Sequence, residues 1–101
     1  MKKYHLCLLK MGQRPERPDP ARADSLQTGH LVYLNELYEN RKASLIGPTE
    51  DETGELRGIV VYNTPTLAEA DSLARLDPLV RAGWLRVEIF PWWTEAGARL
   101  F

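Results

Sequence analysis

The stretch ASLIGPTEDETGELRGIVVYN, residues 43–63, decides the fold. It opens with a short strand, Ala43–Ile46, which stops at Gly47 and Pro48, and its acidic middle is typical of a hairpin loop. The segment Leu56–Asn63 then carries four consecutive β-branched and aromatic residues, IVVY, without polar alternation. Such a run is typical of a strand buried on both faces, so the stretch is predicted to form a β-hairpin.

A helix is predicted on each side of this hairpin. Upstream, one face of a 3.6-residue period carries Leu26, His30, Tyr33, Leu34 and Leu37. That helix is predicted to begin at Asp24 or Ser25, either of which can cap the free amides, and to end at Asn40. Downstream, Thr66 and Glu69 form a capping box at the start of the second helix.

Two outer segments complete the predicted sheet. Lys3–Met11 alternates between two faces, and Trp84–Trp92 does the same. The resulting order, βαββαβ, predicts a ferredoxin-like α+β fold with two helices on one face of a four-stranded antiparallel sheet. On the uncovered face we place Cys7, Leu9 and part of 59–62, and this apolar patch predicts a homodimer paired sheet to sheet as a dimeric α/β barrel.

The chain's composition sets its domain count and its range of partners. Its 101 residues predict one domain, 1–93, with a C-terminal tail, 94–101. The formal net charge of −1 argues against nucleic acid as a partner, and no apolar stretch is long enough for a membrane span. The lone Cys7 favours a reducing compartment, so a cytoplasmic location is predicted. Residues 12–23 hold three prolines and are predicted to form a loop with Arg14 and Arg17.

Several segments together resemble the YCII-related family. They are LCLLKMG at 6–12, GHLVYLNEL at 29–37, LIGP at 45–48, DPLVRAG at 77–83 and PWW at 91–93. They stand in the family's order and cover nearly the whole chain. The resemblance implies a dimeric α+β barrel, related in fold to muconolactone isomerase and to ferredoxin-like monooxygenases.

The resemblance also implies a catalytic pair, with the family's histidine at His30 and its aspartate at Asp77. One family member is linked to dehydrochlorination of a chlorinated hydroxyhydroquinone, whereas most members have no assigned reaction. From the residues alone, His30 faces the sheet and needs a partner, which the Asp77 carboxylate could supply. The alternative is a core histidine bonded to backbone, with Asp77 only capping the turn at Pro78.

Other candidate residues have similar pairs of interpretations. Gly47 and Pro48 end a strand where a ligand could approach the backbone, or they turn the chain. His5 and Cys7 share a strand face but fall short of the three or four ligands of a zinc site, so no metal is predicted. The C-terminal tryptophans are expected to serve tail docking or dimer packing and not base stacking.

Two main functions are compatible with these residues. The first is a small enzyme that needs no cofactor, in which His30 and Asp77 move a proton on a small aromatic or carbonyl ligand in an isomerisation or an elimination such as dehydrochlorination. The second is a metabolite-binding or regulatory dimer that uses the same pocket without catalysis. A third interpretation is an accessory domain in which His30 serves stability alone.

Overall fold

The computed structural model describes residues 1–13 and 19–101. Its elements are β1 (Lys2–Met11), α1 (Pro20–Glu39), β2 (Ala43–Pro48), β3 (Leu56–Tyr62), α2 (Leu67–Ala74), the short α3 (Pro78–Arg81) and β4 (Leu85–Thr94). The four strands form an antiparallel sheet in the order β2-β3-β1-β4. The predicted α+β class and βαββαβ order are confirmed, with α3 added before the last strand.

Helix α1 begins earlier than predicted. Asp19 is its N-cap, with a side-chain oxygen accepting from the Arg22 amide at 2.9 Å, and Pro20 occupies the first turn. Proline is tolerated there because its missing amide would have no partner inside the helix. The prediction of a loop over 12–23 is therefore wrong for residues 20–23, and a cap at Asp24 or Ser25 is wrong too. Arg14 and Arg17 lie outside the described residues.

The two faces of β1 are the reverse of the prediction. His5, Cys7 and Leu9 are buried beneath the helices, with 0% of Cys7 and 5% of Leu9 exposed. A shift of one residue exchanges the faces of a strand, and neither face of β1 is polar enough to settle the choice from sequence. The helix side can accept His5 because Thr64 lies 3.3 Å from its Nδ1 atom.

The sheet face without helices, which we call the open face, is apolar, as predicted. Ile59 and Val61 lie on it as expected, whereas β1 contributes Leu6 and Leu8 and not Cys7 and Leu9. Strand partners that lie directly opposite share a face, so the register assigns it side chains from all four strands. Its apolar members are Leu6, Leu8, Leu45, Ile59, Val61, Phe90 and Trp92. Phe90, Trp92 and Leu45 are each more than two-fifths exposed. A single chain thus leaves a large apolar surface in water.

Strand β4 extends to Thr94, and residues 95–101 continue without helix or strand. The division between a domain at 1–93 and a tail at 94–101 stays a prediction. Within the described ranges, no helix has both the length and the apolar character needed to cross a bilayer.

The buried thiol of Cys7 predicts a loss of stability in alkali. Its pKa is raised from 9.0 to about 12, first by burial and second by the nearby carboxylates of Asp77 and Asp71. Above pH 9 the thiol therefore ionises in the unfolded chain while it stays protonated in the folded one, so the free energy of unfolding falls as the pH rises toward 12.

Urea unfolding on either side of pH 9 measures this fall. The variant Cys7→Ala should show a shallower dependence on pH, although its smaller side chain lowers stability at every pH. An equal slope in both proteins would contradict the assignment to Cys7.

Candidate functional site

His30 lies on the inner face of α1, one turn before Leu34 and three residues before Tyr33. The helical period that predicted this position holds in the structure, since Leu34 and Leu37 on the same stripe are buried in the core. The His30 side chain is only 12% exposed. It is therefore held between α1 and its neighbours and not on the outer surface.

Asp77 lies where α2 has ended and α3 begins. Its backbone is extended, with φ −60° and ψ 128°, a conformation favoured before Pro78. One carboxylate oxygen, Oδ1, accepts from the Leu79 amide at 2.9 Å and so caps α3. The residue is 2% exposed. This cap fixes the rotamer of the carboxylate and leaves Oδ2 to face α1.

The second oxygen of Asp77 contacts His30, with 2.5 Å between Oδ2 and the imidazole Nδ1. A carboxylate can only accept, so the contact assigns the proton to Nδ1 and leaves the lone pair on Nε2. Within the described residues, the His30 side chain makes no other hydrogen bond. The two predicted roles of Asp77, capping and contact with His30, thus coexist in one carboxylate.

A cavity of about 390 Å³ opens beside His30, between α1 and the sheet. Its walls are Gln27, His30, Leu31 and Leu34 of α1, Leu9 of β1, Ile46, Gly47 and Pro48 of β2, Arg57, Gly58 and Ile59 of β3, Leu79 of α3 and Leu85 of β4. The structure therefore brings His30, Gly47 and Pro48 to one cavity, while Asp77 lies behind His30. Contact of Gly47 and Pro48 with a ligand stays a prediction.

The chemistry of the cavity suits a small, largely apolar molecule with polar substituents. Most of its walls are aliphatic, and its polar members are Gln27, His30 and Arg57. Its volume lies at the lower end of the range of roughly 300–1,000 Å³ found for small-molecule sites. Among the described wall residues Arg57 is the cation and none is acidic. The Arg57 side chain is exposed and its Nε donates to the Gly54 carbonyl at 2.6 Å, so this charge lies at the rim of the cavity.

Three weakly acidic groups near Asp77, the Cys7 thiol and the Tyr33 and Tyr62 hydroxyls, have raised pKa values. Burial, and then the Asp77 charge among other groups, raises the pKa values of Tyr33 and Cys7, and the pKa of Tyr62 rises for the same first reason. The Tyr33 hydroxyl donates to the Leu73 carbonyl at 2.6 Å. None of the three carries a charge near neutral pH, so Asp77 has no anionic neighbour among them.

Sequence reasoning missed several wall residues. Gln27 and Leu34 stand three and four positions from His30, so the helical period could have indicated them. Arg57 comes from β3, and nothing local in the sequence connects it to His30. In the described part of the chain, no three histidine, cysteine or acidic side chains lie close enough to hold a metal ion.

Two solved structures resemble this chain in fold. Muconolactone isomerase superposes with a TM-score of 0.68 at 16% identity, covering 96% of this chain and 94% of the isomerase. The second is the 5-chloro-2-hydroxyhydroquinone dehydrochlorinase of Burkholderia phenoliruptrix AC1100 in complex with 2,5-dihydroxybenzoquinone. It superposes with a TM-score of 0.60 at 22% identity, covering 89% of this chain and 95% of the dehydrochlorinase. At such low identity the likeness confirms the fold class alone.

The sequence comparisons are more specific. The uncharacterised protein YjpA of Bacillus subtilis (strain 168) is 33% identical over 64 residues, which are 63% of this chain and 72% of YjpA. The model of the YCII-related domain matches residues 4–93. That match includes β2 and β3, nearly all of β1 and β4, and both His30 and Asp77. The chain therefore belongs to the YCII-related domain family, as its motifs predicted.

Proposed function

We propose that this chain is a small enzyme that moves a proton on an aromatic or carbonyl ligand, with His30 as the base, Asp77 as its orienting partner and no cofactor. The observation that carries the proposal is the 2.5 Å contact from Asp77 to Nδ1 of His30, at the wall of a cavity of suitable size. Nδ1 is occupied by Asp77, so Nε2 is the nitrogen available to a bound ligand.

The proposed step needs only these groups. Nε2 takes a proton from a carbon or a hydroxyl conjugated with a carbonyl, and the electron pair moves onto the carbonyl oxygen. The proton then returns at another carbon, which completes an isomerisation. In an elimination the electron pair moves back from the oxygen as chloride departs with the pair of the C–Cl bond, and the imidazolium releases its proton to solvent. Asp77 supports the imidazolium that forms, and we propose that Gln27, a polar residue of the same wall, donates to the oxyanion. Isomerisation and dehydrochlorination are the reactions named for the two fold neighbours.

The probe 2,5-dihydroxybenzoquinone, bound in one of those neighbours, tests the site directly. We expect titration with it to shift the backbone amide signals of Leu31, Gly47 and Leu79, which belong to three different elements of the wall. Release of chloride from 5-chloro-2-hydroxyhydroquinone then measures turnover.

The two measurements separate the candidate functions. Binding with turnover supports the enzyme, whereas binding of the probe without change of any offered substrate favours the metabolite-binding alternative. Absence of both would contradict the proposed site.

Charge in the cavity gives a further prediction. Replacing Arg57 by methionine is expected to weaken binding of the dianionic probe by up to about fivefold, because Arg57 is exposed and an exposed ion pair contributes about 0.2–1 kcal/mol. Calorimetric titration measures the change. Arg81, an exposed arginine of α3 outside the described cavity wall, provides the matched control, since Arg81→Met should bind as the original chain does.

We also propose that two copies pair through their open faces, as the family resemblance implies. Support comes from the exposed Phe90, Trp92 and Leu45 beside the half-buried Leu6 and Leu8, which a second sheet would cover. A two-fold axis lets the same patch serve both copies. The cytoplasmic location belongs to the same proposal, supported by the unpaired and buried Cys7.

A further inference from the structure

The residues next to His30 and Asp77 in the chain also meet in space. Gly29 precedes His30, and Pro78 follows Asp77. A Cβ atom built on Gly29 would lie 3.1 Å from Cγ of Pro78 and 3.6 Å from its Cβ. The first distance is shorter than an ordinary carbon contact, so a side chain at position 29 would require Pro78 to move by a few tenths of an ångström.

No other requirement of the backbone accounts for this glycine. Gly29 lies inside α1 and is not among the glycines with positive φ, which are Gly54, Gly83 and Gly97. Inside a helix, glycine costs roughly 0.5–1 kcal/mol relative to alanine. By contrast, a Cβ at Gly47 would meet nothing within 4 Å. Close contact with Pro78 is therefore the structural consequence of having glycine at position 29.

We infer that Gly29 is a positioning residue, which with Pro78 sets the separation of α1 and α3 so that Asp77 reaches His30. The contact of Gly29 with Pro78 lies beside the contact of His30 with Asp77, because each residue of one pair is the chain neighbour of a residue of the other. A displacement of Gly29 from Pro78 is therefore carried directly to the 2.5 Å bond between His30 and Asp77. The catalytic meaning of this role rests on the proposed function, but the role in geometry does not.

The test uses a graded series of variants. Gly29→Ala adds the Cβ, and Gly29→Val adds branches beyond it. Pro78→Ala removes the Cγ atom and leaves the 3.6 Å Cβ contact, which is an ordinary one. The double variant Gly29→Ala with Pro78→Ala should therefore regain the original separation. Thr28→Ala, at the exposed neighbouring position of α1, controls for helix propensity.

The readout is NMR of the His30 imidazole in the free protein. The original chain should show a strongly deshielded Nδ1 proton and the nitrogen shifts of the Nδ1–H tautomer. Gly29→Ala should move that proton upfield, Gly29→Val should abolish the signal, and the double variant and Thr28→Ala should keep it. In turnover, Gly29→Val should lower kcat by up to about a hundredfold with KM little changed, the loss typical of a misplacement near 1 Å.

The outcomes distinguish this inference from the proposed function. An unaltered Nδ1 proton in folded Gly29→Ala, or its failure to return in the double variant, would overturn the role of Gly29 whatever the activity. A correct response of the imidazole without any turnover would leave the role of Gly29 standing and count against the enzyme. Should Gly29→Val not fold, Gly29→Ala and its double variant with Pro78→Ala still test the role of Gly29.

Discussion

Replacing His30 by glutamine is expected to lower kcat for proton transfer by about 10²–10⁴-fold, the contribution typical of a positioned general base. Glutamine keeps a polar side chain of similar length and can donate to Asp77, but its amide cannot take a proton from the ligand. Binding of 2,5-dihydroxybenzoquinone should therefore change much less than kcat. Initial rates at saturating substrate, with a parallel binding titration, measure both quantities.

The partner of His30 offers a second variant of the same experiment. In Asp77→Asn, the side-chain oxygen can still accept from the Leu79 amide and cap α3, so the fold should persist. The amide nitrogen now faces His30 and donates to Nδ1, which moves the ring proton to Nε2 and removes the base. Loss of kcat comparable to that in His30→Gln is expected. Asp71→Asn, whose partner is the exposed Arg75, is the matched control and should keep full activity. Full turnover in His30→Gln would end the acid–base proposal.

Replacing Leu6 by lysine is expected to convert the proposed dimer into a monomer at micromolar concentration. Leu6 lies on the open face between Val61 and Phe90. By symmetry each dimer would bury two unpaired ammonium groups, and each costs several kcal/mol. Since about 1.4 kcal/mol changes a dissociation constant tenfold, dissociation should be at least a thousandfold easier.

Light scattering coupled to size exclusion measures the mass of both proteins. Val32→Lys places the same charge at an exposed apolar position of α1, remote from the open face, and should leave the mass unchanged. A monodisperse monomer formed by the unmodified chain would contradict the dimer itself.

Much of the fold follows from local patterns in the sequence. The IVVY run of β3 and the apolar stripe through His30 appear in the structure as predicted. Thr66 caps α2 as predicted, but the Glu69 carboxylate accepts from Lys42, so the reciprocal half of the capping box is missing. These features are local, because strand burial, capping and helical period are properties of neighbouring residues. The start of α1 differs from the prediction because proline favours a loop everywhere except in the first turn of a helix, which is where Pro20 lies.

Features that depend on tertiary contacts were not predictable in this way. The prediction assigned the two faces of β1 the wrong way round, because Cys7 and Leu8 are both apolar enough to lie on either face of the sheet. From the residues alone the approach of His30 to Asp77 is one of two interpretations, since 47 residues separate them in the chain, and the family resemblance favours it. The cavity wall from β3, including Arg57, depends on sheet register and on how α1 crosses the sheet, and no local pattern encodes either.

The central position of β1 has a consequence for how the chain reaches its fold. β1 pairs with β3 on one side and with β4 on the other, so residues 2–11 find their last partners at 85–94. Loop closure over most of the chain is slow, and during synthesis β1 must wait with one edge unpaired until β4 has left the ribosome. An apolar strand in that state is prone to associate with other chains. Folding yield in the cell should therefore depend on translation speed and chaperone supply more than the small size of the domain suggests.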